Sequence, residues 1–321
     1  MRRPERLLGP ETARPEDIER INRVFSDAFT DRYQRDGLSG VRVPPLNPAI
    51  WRFAMAVAGD GALLWRDPSK QLVAFNLVHR SGAEGWMGPL AVRPDRQGEG
   101  IGRLIVEEGI RRLTAAGARI IGLETMPRTI ENIGFYSGLG FRPGHLTVSM
   151  TRDLAGSGTS PASRLSAGPA GPALRACRAL TDAAMPGVDF TREMELTLEQ
   201  GLGDATLLSE SGRLAGFALW HTAPLAEGRS PDEARVLKLV ARDLPAFRRL
   251  VSAIESDAWT AGARRVSIRC QTADRDAYGV LLDAGYRVHW TDLRMTLQLP
   301  DAPPADAGVK RRAIVFSNWE I

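Results

Sequence analysis

Cysteine and histidine are scarce in this chain. Its 321 residues include two cysteines, Cys177 and Cys270, and four histidines, too few and too scattered for a disulfide framework or a metal site. No uncharged apolar run approaches membrane-spanning length. The opening Met1-Arg2-Arg3-Pro4-Glu5-Arg6-Leu7-Leu8-Gly9-Pro10 lacks the apolar stretch of a secretion signal, so a membrane partner is not expected. A stripe of lysine and arginine interleaved with aromatics is also missing. With a formal charge of only +4, nucleic acid is not implied either. What is there is ordinary for a globular protein, 43% hydrophobic and 25% charged residues. A reducing cytoplasm is the expected setting. The length is too great for one typical domain and comfortable for two.

Against this background one segment stands out, Val92-Arg93-Pro94-Asp95-Arg96-Gln97-Gly98-Glu99-Gly100-Ile101-Gly102. It follows a strand-like run, Trp86-Met87-Gly88-Pro89-Leu90-Ala91-Val92, in which Pro89 predicts a bulge or a splayed edge. A helix-like run follows it, with Ile105, Val106, Ile110 and Leu113 on one face, pairs Glu107/Arg111 and Glu108/Arg112 on the other, and Gly117 as terminator. Alternate glycines before a helix turn backbone N–H groups into a concave nest at the positive end of the helix dipole, which predicts an anionic ligand. The spacing G-x-G-x-G is not the G-x-G-x-x-G of dinucleotide folds. Arg103-Leu104 after the last glycine rules out a P-loop.

The pattern of Gln97, Gly100 and Gly102 resembles the acyl-CoA loop of the GCN5-related N-acetyltransferases (GNAT), Gln/Arg-x-x-Gly-x-Gly/Ala. The run Phe135-Tyr136-Ser137-Gly138-Leu139-Gly140-Phe141 is similar to that family's second signature. The resemblance implies an α/β fold of two tandem GNAT-like domains, each a mixed, mostly antiparallel sheet flanked by helices. It implies acetyl-CoA as cosubstrate and no metal. Gln97 and the main chain of Gly98, Gly100, Ile101 and Gly102 would hold the pyrophosphate, with Arg103 either adding charge or merely solvated. The amides of Leu90, Ala91 and Val92 would receive the pantetheine arm and the thioester oxygen. Tyr136 would serve the leaving sulfur. The family's usual asparagine and alanine are replaced here by Thr129 and Asn132, and Asn132, one turn before Tyr136, is a substitute contact. Glu124 ends the short apolar strand Ile120-Ile121-Gly122-Leu123-Glu124 and is either a general base or a solvated carboxylate. The acceptor would be a primary amine of a small molecule or peptide. Residues 25–53, mixing Phe29, Tyr33 and Trp51 with Asp27, Asp31 and Asp36, are the expected acceptor cleft or a packed helical hairpin. The alternative from another class is a non-catalytic acyl-CoA-binding regulatory module.

The chain also repeats itself. Gly117-Ala118-Arg119 recurs as Gly262-Ala263-Arg264 and Gly140-Phe141-Arg142 as Gly285-Tyr286-Arg287, both 145 positions on. Two hairpin patterns, one ending at His79 and the other at His221, echo each other, which points to a framework role for both histidines. At the same shift Gly98, Gly100 and Gly102 become Asp243, Pro245 and Phe247, and Tyr136 becomes Leu281. An acidic side chain, a missing N–H and a bulky ring are incompatible with a phosphate cradle. The expected organisation is therefore a catalytic unit over residues 1–153 and a linker rich in Gly, Pro, Ser and Ala over 154–173. A degenerate copy follows over 174–300, and a tail over 301–321 contributes a possible edge strand. The second copy is left with packing, closure of the substrate cleft or homodimer formation as its work.

Overall fold

The structure, a computed structural model, describes residues 7–156, 162–297 and 313–319. In the first half the elements run β1 (Leu8–Thr12), α1 (Ile18–Arg35), α2 (Pro48–Ala58), β2 (Ala62–Arg66), β3 (Leu72–Ser81), β4 (Glu84–Val92), α3 (Ile101–Ala115), β5 (Ile120–Thr125), α4 (Ile130–Ser137) and β6 (Phe141–Asp153). The second half runs β7 (Ser163–Arg164), α5 (Ala170–Ala184), α6 (Thr191–Glu199), β8 (Gly203–Glu210), β9 (Arg213–His221), β10 (Glu233–Ala241), α7 (Leu244–Thr260), β11 (Arg265–Gln271), α8 (Arg275–Asp283) and β12 (Arg287–Leu297), followed by β13 (Ile314–Ser317). The two series match element for element, as the repeat implies. Among the described residues no helix is long and apolar enough to cross a membrane.

All the strands join one sheet, in the order β1-β2-β3-β4-β5-β12-β6-β11-β10-β9-β8-β7. Helices cover both faces. Side chains of α1 and α2 pack with Phe75 and Leu77, and those of α3 and α4 with Val73 and Leu123 on the opposite face. Pairing is antiparallel except at β4 with β5 and at β10 with β11.

The order β5-β12-β6-β11 shows that the halves exchange their last long strands. β6 pairs with β11 of the second half, and β12 pairs with β5 of the first. Thr147 faces Asp292 directly across the β6–β12 ladder, and these positions are equivalent under the 145-residue shift. A pseudo-twofold axis therefore passes between them. Glu124 and Arg269, also equivalent and 145 apart, meet there at 2.6 Å.

Two boundaries differ from the sequence-based expectation. Residues 163–173 are not linker. β7 pairs with β8, Leu165 is buried, and α5 already starts at Ala170, because a proline in the first helical turn has no N–H to waste; residues 157–161 of the expected linker lie outside the described residues. The tail strand exists but is not at an outer edge. β13 pairs with Lys238, Leu239, Val240 and Ala241 of β10, on the side from which β11 has separated after Val236. The remainder of the tail, 298–312 and 320–321, lies outside the described residues.

A fragment ending at residue 156 is expected to be unstable as a monomer. Its β5 edge is unpaired and its Glu124 has no guanidinium partner, while a symmetric dimer would set Glu124 against its own copy. Light scattering and urea unfolding check this, and a monomer as stable as the full chain would refute the exchange.

Candidate active site

β4 and β5 pair in parallel only from Glu84 to Trp86, the last partners being Trp86 and Gly122. Beyond this point they part. The ladder between β3 and β4 is irregular between Asn76 and Val78, opposite Gly88 and Pro89, so the bulge read from Pro89 is present. The Nε2 of His79 donates to the Gly88 carbonyl at 2.9 Å, and its ring stacks on Trp86 at 3.9 Å. Burial lowers the His79 pKa to about 3, so the ring is a neutral prop for the bulge.

The Arg93 N–H donates to the Val73 carbonyl, and the register continues through the Ala91/Phe75 pair. Because successive amides of an antiparallel strand point opposite ways, the Ala91 N–H belongs to the β3 ladder. Ala91 is thus removed from the expected thioester contacts. Leu90 and Val92 turn their N–H groups into the gap.

The loop after β4 supplies a row of donors. Gly98 and Gly100 have φ of +80° and +83°, a region glycine enters without strain, and a Cβ on either would meet open space. Among the described residues, the N–H groups of Gly98, Glu99, Gly100, Ile101, Gly102 and Arg103 have no protein acceptor; the first inward bond of α3 runs from Leu104 to Gly100. Gln97 shapes this nest from behind, its N–H on the Pro94 carbonyl and its Nε2 on the Val92 carbonyl at 3.1 Å. Arg96, buried, binds both Glu99 oxygens and so offsets the acid that lies between the glycines. Arg103 is exposed and pairs with Glu107 at 3.0 Å, so Glu107 is not available to Arg111 as the helical spacing suggested.

Tyr136 on α4 lies in the same apolar cluster as Ile101, with Leu90, Val92 and Phe135 against it. Its ring is buried between Phe135 and Phe141, and burial pushes its pKa well above the ordinary phenol value. Among the described residues its hydroxyl has no hydrogen-bond partner. Asn132 reaches Thr125 at the end of β5, Nδ2 to Oγ1 3.4 Å. The sequence-predicted groups at Leu90, Val92, 98–102 and Tyr136 are thus gathered around one gap.

Glu124 is not among them. Along β5, Leu123 faces α3 and α4 while Glu124 points to the other face, where it is buried against Thr147, Arg269 (2.6 Å) and Arg294 (2.7 Å). Although burial opposes ionisation, the two guanidiniums hold its carboxyl at about 2. So weak a base cannot take a proton from an ammonium group, and the catalytic reading of Glu124 is corrected to a structural one.

The acidic acceptor pocket is corrected too. Trp51 is fully buried in the core, and Asp27, Asp31 and Asp36 pair with Arg42, Arg35 and Arg32. Tyr33 lies 6.3 Å from the half-exposed Trp290 of β12. That second-half strand, together with the tail residue Trp319, was not found from sequence, because nothing local marks a partner so distant.

The second half lacks the donor row. Asp243 caps α7, accepting the Ala246 N–H at 2.8 Å, whereas no side chain caps α3. β13 fills the separation of β10 from β11, and its Phe316 packs on Phe247 at 5.5 Å.

Comparisons with known proteins agree with this fold. Residues 26–141 match the model of the Acetyltransferase (GNAT) family. A GCN5-related N-acetyltransferase from Sphaerobacter thermophilus is 16% identical with a TM-score of 0.61, covering 91% of this chain and 96% of its own. A tandem GNAT protein from the clavulanic acid biosynthesis pathway is 14% identical with a TM-score of 0.60, covering 91% and 97%. The N-myristoyltransferase of Saccharomyces cerevisiae with bound myristoyl-CoA is 12% identical with a TM-score of 0.62, covering 97% and 88%. None of the curated proteins matches the chain in sequence. A double α/β unit, one half of which keeps an open amide nest beside a splayed strand, is a tandem GNAT-like fold. The family match lies in the first half, and the likeness of the whole chain to solved GNAT structures is one of fold.

Two outcomes follow. Gly100→Asp is expected to weaken CoA binding by at least about a hundredfold, since it sets a carboxylate at the nest, without lowering the melting temperature by more than a few degrees; calorimetric binding checks this. Glu124→Gln leaves two guanidiniums short of a countercharge and is expected to cost about 3 kcal/mol at pH 7. Because the folded pKa is depressed, that contribution is complete above 4.5 and disappears as pH falls towards about 2. Urea unfolding between pH 2 and 7 should show the variant lacking this pH dependence.

Proposed function

We propose that the chain is an acetyl-CoA-dependent N-acetyltransferase acting on a primary amine of a small molecule or peptide. The observation that carries this reading is the run of six acceptor-less N–H groups from Gly98 to Arg103, at the positive end of α3 and beside the open edge of β4. Bound acyl-CoA would supply an activated acyl group: the amine forms a C–N bond, the C–S bond breaks, and the proton shed by nitrogen ends on sulfur.

The residues divide this work. The nest, backed by Gln97 and by Arg96 with Glu99, holds the diphosphate. The Leu90 N–H, freed by the bulge that His79 props, donates to the thioester oxygen as negative charge develops there. The Val92 N–H and Asn132 orient the pantetheine arm. Tyr136 stays protonated at neutral pH and donates a hydrogen bond to the departing sulfur. Its raised pKa makes it a donor rather than a net source of protons. With Glu124 withdrawn into its ion pairs, the acceptor loses its proton to water before attack.

Tyr136→Phe is expected to lower kcat roughly a hundredfold with CoA affinity within a few-fold of the parent. Unchanged turnover would remove the sulfur-side role. The pH profile separates a solvent-deprotonated acceptor from an enzymic base. kcat/KM should rise with pH up to the acceptor amine's own pKa and move when amines of different pKa are compared. An inflection fixed for all acceptors would show a base on the protein.

A further inference from the structure

The closed end of the gap between β4 and β5 is sealed by a residue from the other end of the chain. Trp319 lies across it. A Cβ built on Gly122, the last β5 residue paired to β4, would stand 2.2 Å from the indole Cζ3, so the ring rests directly on bare backbone. The Trp319 carbonyl lies against Gly88 in the bulge of β4, 3.8 Å from where its Cβ would be. Trp319 thus touches both strands at the point where they begin to part, and it is 3% exposed.

Its position is fixed from several sides. The Arg294 guanidinium stacks on the indole at 3.8 Å while bonding Glu124 and the Ser317 carbonyl. β13 is anchored on β10, the Asn318 N–H donates to the Leu237 carbonyl at 3.0 Å, and the Nζ of Lys238 donates to the Ser317 hydroxyl and the Asn318 carbonyl, both at 3.0 Å. The separation between β10 and β11, equivalent to the gap of the first half, serves here as the seat of the strand that delivers Trp319.

We infer that Trp319 sets the maximum length of the acyl group the first half accepts, restricting it to short chains; this rests on the acyl-CoA reading of the gap. A pantetheine arm entering from the nest runs back along β4 towards the bulge, and whatever lies beyond a carbonyl held at Leu90 points to the closed end. There the strands converge on their paired spacing of about 4.8 Å, and the indole occupies the remaining room above Gly122. A rigid, fully packed ring yields far less than a flexible side chain. Acetyl fits in front of it and a chain of several more methylenes does not.

The test compares calorimetric affinity for acetyl-, butyryl- and hexanoyl-CoA, alongside thiol release with each, in the parent, Trp319→Ala and Trp319→Phe. The parent should bind hexanoyl-CoA at least about tenfold more weakly than acetyl-CoA. In Trp319→Ala that ratio should shift towards the longer chain by about tenfold or more, with Trp319→Phe in between, and the affinity ratio is read whether or not turnover survives. Should Trp319→Ala not fold, the Trp319→Phe ratio decides. An identical ratio in the parent and a folded variant would overturn the length limit while leaving the acyl-CoA site standing. A parent that binds none of the three thioesters would instead sink the function from which the inference starts.

Discussion

The carboxylate of Glu124 is the interaction on which the face opposite α3 and α4 depends. It takes hydrogen bonds from Thr147 on β6, Arg269 on β11 and Arg294 on β12 while itself sitting on β5, so one side chain links all four central strands. Arg269 in turn holds Asp292 at 2.9 Å, which gives two carboxylates and two guanidiniums in a nearly dry space. Buried charges are tolerable only when so completely paired. Arg294 carries the constraint onward to the indole at the closed end of the gap. A residue with the sequence context of a catalytic base thus acts as the fastening of the fold.

The same cluster explains why the two copies diverged as they did. Under the repeat, Glu124 corresponds to Arg269, Thr147 to Asp292 and Ser149 to Arg294. Identical copies would bring like charges together at the pseudo-axis, whereas these replacements make the meeting complementary. The amide groups differ in a parallel way. In the first half the N-terminus of α3 is left with six donors and no acceptor; in the second, Asp243 caps α7 and β13 takes the open edge of β10. The second half satisfies these positions from its own chain, whereas the first leaves its donors open.

What could be read from the chain alone was what is encoded locally. The glycine loop, the helix after it, the bulge at Pro89, the hairpins and the repeat all rest on residues close in sequence or on periodicity, and each has its structural counterpart. Tyr136 was singled out because a short motif surrounds it. Glu124 was misread because its partners are 145 and 170 positions away, a distance at which one sequence gives no signal. Asp27, Asp31 and Asp36 looked free for a cationic acceptor, yet neighbouring arginines on or beside the same helix neutralise them. Residues 163–173 looked structureless because alanine, glycine and proline carry little apolar bulk, although Pro172 in the first helical turn and the alanines after it suit a helix start. Gly122 held the one local hint of Trp319, a bare position in the middle of an apolar strand.

The exchange of β6 and β12 has a bearing on how the molecule comes to be. β5 cannot gain its outer neighbour until a strand about half a chain length later has been synthesised, and β6 must wait for β11. Contacts of such long sequence separation are slow to close, and until they do, the edges of β5 and β6 stand open. The first half would therefore stay unfinished until the second has been made, and the completed sheet would arrive in a single late step.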